Sequence, residues 1–250
     1  MNRLQVVMAM AGRGQRFRDA GFAIPKPLVL VDGKPMFLRA LDSIEELSFD
    51  LHLIIRRDAV IEFNLEARIK DAYPTANVEV LDFDTRGATE SVMKVESKLD
   101  PEAPLLILDC DLFFESPEFL ELVNQGREMP YDGLLLTFTS NDPRYSYVMS
   151  TLGIATQVKE KIVISENALI GAYYWKVTSD FIKVAREILL IGITSTEKEL
   201  YISSTYQKGI ERGLIFKVLE GRFASFGTPE ELAHYDSNRN NETEDMQFPN

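Results

Sequence analysis

Two groups of residues in this chain have the types and spacing to handle phosphate. The first is Gly12-Arg13-Gly14-Gln15-Arg16, with Pro25-Lys26-Pro27 shortly after it. Glycine lets a main chain come close to phosphate oxygens and aim its N–H groups at them. Arg16 would then grip the phosphates. Lys26, between prolines that fix the backbone, would reach the same anion with less freedom to lose. The second group is Asp109-Cys110-Asp111, directly after the apolar run Leu105-Leu106-Ile107-Leu108. Acids at a strand end are structurally common, and they are also candidate metal ligands.

A dinucleotide-binding fingerprint competes for the first group, with glycines after a first strand and an acid near Asp32. Phe17 stands where that fingerprint needs its third glycine, and Gly21, Pro25 and Pro27 leave little room for the crossover helix. A loop wrapping a triphosphate fits better. The formal net charge of −12 argues against a general nucleic-acid surface. Against that background, residues 13–34 hold Arg13, Arg16, Arg18, Lys26 and Lys34 with only Asp19 and Asp32, so a local basic pocket is expected.

The elements that must position these groups follow from periodicity. Residues 4–10 are an apolar run of strand length that ends in the glycine-bearing turn, and residues 28–31 form a second short run closed by Asp32-Gly33. The apolar spacing predicts helices over residues 36–47, 60–72 and 89–99, with strands at 51–55, 78–81 and 105–108. The less regular second half predicts strands at 133–138 and 168–175 and helices at 179–190 and 205–212. Alternation of this kind indicates an α/β fold whose mainly parallel sheet is covered on both faces, with ligands at the carboxyl ends of its strands. Residues 1–235 read as one domain, and the polar, acidic residues 236–250 read as a mobile tail. Apolar runs fall far short of the roughly twenty residues of a membrane span. Arg3 precedes a short apolar stretch without a cleavage site, and Cys110 is the single cysteine, so the expectation is a cytoplasmic protein without a secretion signal or internal disulfide.

The glycine loop ending in Arg16, with the block Pro25-Lys26-Pro27-Leu28-Val29-Leu30-Val31-Asp32-Gly33-Lys34-Pro35-Met36, resembles the sugar nucleotidyltransferase (nucleoside diphosphate sugar pyrophosphorylase) family, as a single-domain bacterial-type member. The resemblance implies a Rossmann-like three-layer nucleotidyltransferase fold with a mixed, mainly parallel central sheet. It extends to Thr85-Arg86-Gly87-Ala88-Thr89-Glu90, which looks like the family's nucleobase-contacting turn, and to Asp109-Cys110-Asp111, which implies Asp111 as a magnesium ligand with Asp109 beside it. Magnesium suits hard carboxylate and phosphate oxygens. Val158-Lys159-Glu160-Lys161 and Asn167-Ala168-Leu169-Ile170-Gly171 resemble the acceptor-phosphate and sugar-pocket segments; Lys161 is the preferred lysine and Lys159 its rival. Glu199-Leu200-Tyr201-Ile202 and Phe226-Gly227-Thr228-Pro229-Glu230-Glu231-Leu232 look like the sugar-recognition and closing motifs.

These resemblances imply Ala11, Gly12, Gly14, Arg16 and Gly87 at the nucleotide, with Asp82 a candidate reader of the base edge. They imply Lys161, Asn167, Gly171 and Glu199 at a phosphorylated sugar. One departure stands out. Many members have an aspartate two residues before the closing Gly-Thr as a second metal contact, and this chain has Ser225, for which Asp109 or water could compensate. The implied reaction joins a nucleoside triphosphate to a sugar 1-phosphate with release of pyrophosphate: Arg16 on the leaving pyrophosphate, Lys26 on the α-phosphate, Lys161 on the acceptor phosphate. It needs no general base, because the attacking oxygen is already anionic, and so neither His52 nor His234. Two other readings stay open. One is a glycosyltransferase using Asp109-x-Asp111, and the other is a nucleotide-binding regulatory relative with weak catalysis. Base, acceptor and homo-oligomerisation stay open as well.

Overall fold

The computed structural model describes residues 3–194 and 199–245. The strands are β1 (Leu4–Met10), β2 (Leu30–Val31), β3 (Lys34–Pro35), β4 (Phe49–Arg56), β5 (Asn77–Leu81), β6 (Leu105–Leu108), β7 (Leu112–Glu115), β8 (Gly133–Thr139), β9 (Tyr147–Thr151), β10 (Ile154–Lys159), β11 (Asn167–Trp175), β12 (Phe216–Glu220) and β13 (Arg222–Ser225). The helices are α1 (Gln15–Asp19), α2 (Met36–Asp42), α3 (Arg57–Phe63), α4 (Leu65–Ala72), α5 (Ala88–Met93), α6 (Pro117–Gln125), α7 (Thr178–Thr194), α8 (Ile202–Glu211) and α9 (Pro229–Asp245).

The central sheet runs β5-β4-β1-β6-β11-β8-β12-β10-β9. Its first four strands pair in parallel, and from β6–β11 onward every pairing is antiparallel except β8–β12. The sheet is therefore mixed, with its parallel character concentrated in the half that carries the glycine loop. Both faces are covered. Leu4, Val6, Met8 and Met10 of β1 pack with Phe37, Leu41, Leu65, Ile69 and Phe119 on one side. On the other, Val7 joins Val92, Phe181, Ala185, Ile202 and Tyr206. This alternation explains why β6 reads as an unbroken apolar run and β1 as one broken only by Gln5: a strand between two helix layers buries both sets of side chains.

The helix expected over residues 60–72 is two helices, because Asn64 takes φ 52° and ends α3. Asparagine tolerates that left-handed conformation better than most residues. The pattern over residues 89–99 likewise gives α5 and then a separate 3-10 turn at Glu96–Lys98. The expected boundary at residue 235 falls inside α9, which runs on to Asp245. Residues 246–250 lie outside the described residues.

Two small features fix the site. The Asp32-Gly33 turn has positive φ at both residues (52° and 76°), the geometry that closes a tight two-residue hairpin between β2 and β3. The second is the ribbon of β7 with β13, which pairs Leu112 with Ser225 and has Phe226 N–H donating to the Asp111 carbonyl at 2.7 Å. A separate cluster of Phe17, Val29, Val31, Met36, Phe226 and Leu232 then clamps the glycine loop, the Pro-Lys-Pro segment and the start of α9 together.

His52 in β4 is 2% exposed, and its Nδ1 has no hydrogen-bond partner. Burial holds its imidazole below the usual value of about 6.5. The unfolded chain therefore takes up a proton that the native state refuses. Its stabilising contribution is complete above the unfolded pKa and is lost as pH falls below it. Urea unfolding at pH 8.0 and 5.5 should show native stability falling with acid, and His52→Leu should remove up to about 1.4 kcal/mol per pH unit of that fall. An unchanged pH dependence in His52→Leu would show that His52 is not protonated differently in the two states.

Candidate active site

The candidate residues Arg16, Lys26, Asp109 and Asp111 lie at and beyond the carboxyl ends of β1 and β6. Gly14 has φ 61° and opens α1, and a Cβ there would approach the Lys26 Cβ to 3.3 Å. Glycine is needed on both counts, and through it the loop rests directly on Lys26. The lysine ammonium pairs with Asp111 Oδ2, donates to the Gly227 carbonyl at 3.2 Å, and lies 5.4 Å from the centre of the buried Phe17 ring. Burial by itself would lower its pKa, but the charge of Asp111 and the hydrogen bond to it outweigh this and raise it. The cation is thus locked in its charged form. One ammonium ties together chain segments from the first, middle and last parts of the sequence.

Asp109 lies beside this pair. Its N–H donates to the Gly171 carbonyl at 2.9 Å, and its Oδ2 lies 2.5 Å from where a Gly171 Cβ would be. Gly171, at φ 98°, is glycine because the carboxylate fills that space. Burial, then the neighbouring Asp111 charge, push the Asp109 carboxyl well above the usual carboxylate range. The Cys110 thiol between them is pushed up to about 12 by burial and by Asp111, so it is no thiolate nucleophile near neutral pH.

A cleft of about 430 Å³ opens over these carboxylates, lined among others by Arg16, Asp109, Asp111, Lys161, Gly171 and Tyr201. Arg16 is exposed, and its guanidinium makes no hydrogen bond or ion pair with the described residues. Lys161, and not Lys159, lines the cleft. Its backbone is left-handed, with φ 53°. Along an extended strand Glu160 and Lys161 would point to opposite faces, but this turn brings both into the cleft. Lys161 Nζ meets the Tyr201 hydroxyl at 2.5 Å and lies 3.9 Å from Glu199, to which that hydroxyl donates. Glu160 accepts from the hydroxyls of Ser146 and Ser203.

Other expected residues stand further off. Asn167 begins β11 and Ala11 is buried in the core, and neither lines the cleft. Asp82 is exposed and paired with Arg57 at 2.6 Å, so its carboxylate is already engaged. Gly87, at φ 139°, has a packing reason to be glycine: a Cβ would lie 2.6 Å from both N and O of Leu200. Hydrogen bonds from Leu200 N–H to the Arg86 carbonyl and from Thr89 N–H to the Leu200 carbonyl flank that approach. They join the turn at residues 85–90 to the Glu199–Tyr201 segment.

The sequence did not show which long-range partners several charged groups near the site would take. Arg13 and Arg56 converge on Asp84, hold its carboxyl down to about 2, and tie the glycine loop to the segment after β5. Across the cleft, Glu231 meets Tyr145 and Arg144, each at 3.2 Å. No spacing signal marks them, because their partners lie far away in the chain. Among the described residues there is no group of three or more His, Cys, Asp or Glu positioned to hold a metal. Two hard carboxylates side by side, one of them disfavoured as an anion, still suit a divalent ion that also takes oxygens from substrate and water.

Comparison with known proteins completes the assignment. A model of the MobA-like NTP transferase domain matches residues 6–162. The fold is similar to that of a nucleoside-diphosphate-sugar pyrophosphorylase from Vibrio cholerae RC9, with TM-score 0.77 and 21% identity over 92% of this chain and 98% of that one. It is also similar to the inositol-1-phosphate CTP transferase from T. maritima, with TM-score 0.71 and 16% identity over 93% of each chain. The bifunctional protein GlmU of Methanocaldococcus jannaschii is 24% identical over 122 residues; the match covers 47% of this chain and 28% of that protein. With the glycine loop, Lys26 and Asp111 gathered at the ends of β1 and β6, this chain belongs to the MobA-like NTP transferase domain family and is a nucleotidyltransferase.

Proposed function

We propose that the chain transfers a nucleoside monophosphate unit from a nucleoside triphosphate to the phosphate of a sugar 1-phosphate, releasing pyrophosphate. The observation that carries this reading is the arrangement of cations at one cleft. Arg16 and Lys161 line it, Lys161 beside the acid Glu160, and Lys26 stands behind the lining residue Asp111, to which its ammonium is paired. Two anions must meet for the reaction to occur, so the work of the site is charge neutralisation and in-line alignment. An acceptor phosphate is its own nucleophile, which accords with a cleft whose cysteine neighbour is held as a thiol.

In this reading Gly12 and Gly14 let the backbone approach the triphosphate, Arg16 takes the leaving pyrophosphate, and Lys26 takes the α-phosphate. Lys161 takes the acceptor phosphate, with Glu160, Gly171 and Glu199 about the acceptor's hydroxyls. Asp111, with Asp109 beside it, would hold magnesium. When bound, that ion would neutralise charge on the phosphate oxygens. The sugar as acceptor is supported by the carboxylates and tyrosines around Lys161 and by the activity named for the similar Vibrio cholerae protein. A glycosyltransferase reading of Asp109-x-Asp111 supplies a diphosphate for Arg16 but no acceptor phosphate for Lys161.

Pyrophosphate release should be assayed with a panel of four nucleoside triphosphates against sugar 1-phosphates, inositol phosphate and phosphocholine. Release should need one triphosphate, one phosphorylated acceptor and magnesium together, and release with none of the sugar 1-phosphates would overturn the proposed acceptor. Arg16→Ala and Lys26→Ala should each lower turnover about a hundredfold or more, since each removes a contact that strengthens in the transition state. Their stabilities should differ. Arg16→Ala should melt like wild type, whereas Lys26→Ala should cost about 2 kcal/mol, because it leaves the half-buried Asp111 carboxylate unpaired. Equal melting of the two variants would contradict the structural role of Lys26.

A further inference from the structure

Where the resemblance implies an aspartate, this chain has Ser225, and the surroundings of Ser225 point to what replaces it. The Ser225 hydroxyl lies 2.8 Å from Glu231 Oε2, and Thr228 N–H donates to the same oxygen at 3.0 Å. Glu231 N–H in turn donates to Thr228 Oγ1 at 3.2 Å. This reciprocal pair is a capping box opening α9; Ser225 stands outside it, its hydroxyl accepting from Gly227 N–H at 3.3 Å while it meets Glu231. A Cβ built on Gly227 would lie 3.0 Å from Glu231 Oε2, 3.4 Å from Ser225 Oγ and 3.5 Å from Asp111 Oδ2. Three oxygens therefore lie within about 3.5 Å of one point beside Gly227, and Asp111, Ser225, Gly227 and Glu231 all line the cleft. The other Glu231 oxygen, Oε1, faces Tyr145 and Arg144, so the two oxygens are turned to different neighbours.

We infer that Glu231, held in place by the Ser225 hydroxyl, supplies the second carboxylate toward the magnesium ion held by Asp111. The inference rests on the metal reading above. A glutamate from the first turn of α9 reaches the place that an aspartate at 225 would occupy, and the shorter serine makes room for it and orients it. Magnesium keeps several waters and takes only one or two carboxylates, so Glu231 can serve it directly or through a bound water. Its charge acts on the ion either way.

The test is a titration of the full chain with manganese(II), read by the electron paramagnetic resonance of the free ion, alongside thermal melts. Wild type should show a saturable site that Asp111→Asn abolishes. Glu231→Gln should weaken it about tenfold or more, the usual scale for loss of an orienting or outer carboxylate. Its melting should stay near that of wild type, since glutamine also serves in a capping box. Moving the carboxylate back should rescue binding: Ser225→Asp combined with Glu231→Gln should bind manganese within about threefold of wild type, well inside that tenfold loss. If Glu231→Gln titrates like wild type, or Ser225→Asp fails to restore it, Glu231 is a cap only and the inference falls while the Asp111 site stands. If Asp111→Asn binds like wild type, the metal site itself is lost and the inference falls with it.

Discussion

The contact on which the rest of the site depends is the Lys26 ammonium against Asp111, beneath the Gly227 carbonyl. Each of the three belongs to a different part of the chain, and none could hold its place alone. Asp109 and Asp111 follow a fully buried strand and would crowd negative charge into a half-buried corner; Asp109 responds by shifting strongly toward its protonated form. Lys26 offsets that charge, and its own pKa rises because the acids outweigh the cost of burying it. The cluster of Phe17, Val29, Met36 and Phe226 exists where it does because it must deliver this lysine to this aspartate.

From that centre the cleft is closed by ties that are short in space and long in sequence. Arg13 and Arg56 on Asp84 hold the glycine loop to the segment after β5. The backbone approach of Gly87 to Leu200 joins the turn that opens α5 to the segment carrying Glu199 and Tyr201. Glu231 joins the closing motif to Arg144 and Tyr145. Groups assigned to the triphosphate and groups assigned to the acceptor therefore sit on one connected frame. Reactions of this kind gain chiefly from holding two reactants in line, and such a frame supplies that alignment.

Much of this was legible in the residues. β1 and β6 announced themselves as apolar runs because each is buried on both faces. Arg16, Asp111 and Lys161 line one cleft, and Lys26 pairs with Asp111 at its edge. What was not legible depends on pairing. The β7–β13 ribbon is two short strands of mixed burial with no alternation strong enough to declare them, yet it sets Ser225 opposite Leu112. The left-handed turn at Lys161 breaks the alternation that would have separated it from Glu160. Asp82 looked like a free carboxylate until its partner Arg57 was seen, and Gly87 looked like a ligand contact although its packing against Leu200 already requires glycine. The break at Asn64 was hidden because the helical spacing continues across it.

The central claim is direct transfer between two bound phosphates at the Lys26–Asp111 corner, with no nucleotide attached to the protein on the way. Isotope exchange tests it most directly: labelled pyrophosphate is incubated with the protein, magnesium and each nucleoside triphosphate in turn, with and without the acceptor that supports turnover. The account predicts label in the triphosphate only when the acceptor is present, because only then can the transfer run forward and back. Exchange in the absence of any acceptor would mean that a side chain of the protein takes up the nucleotide first, and would contradict it.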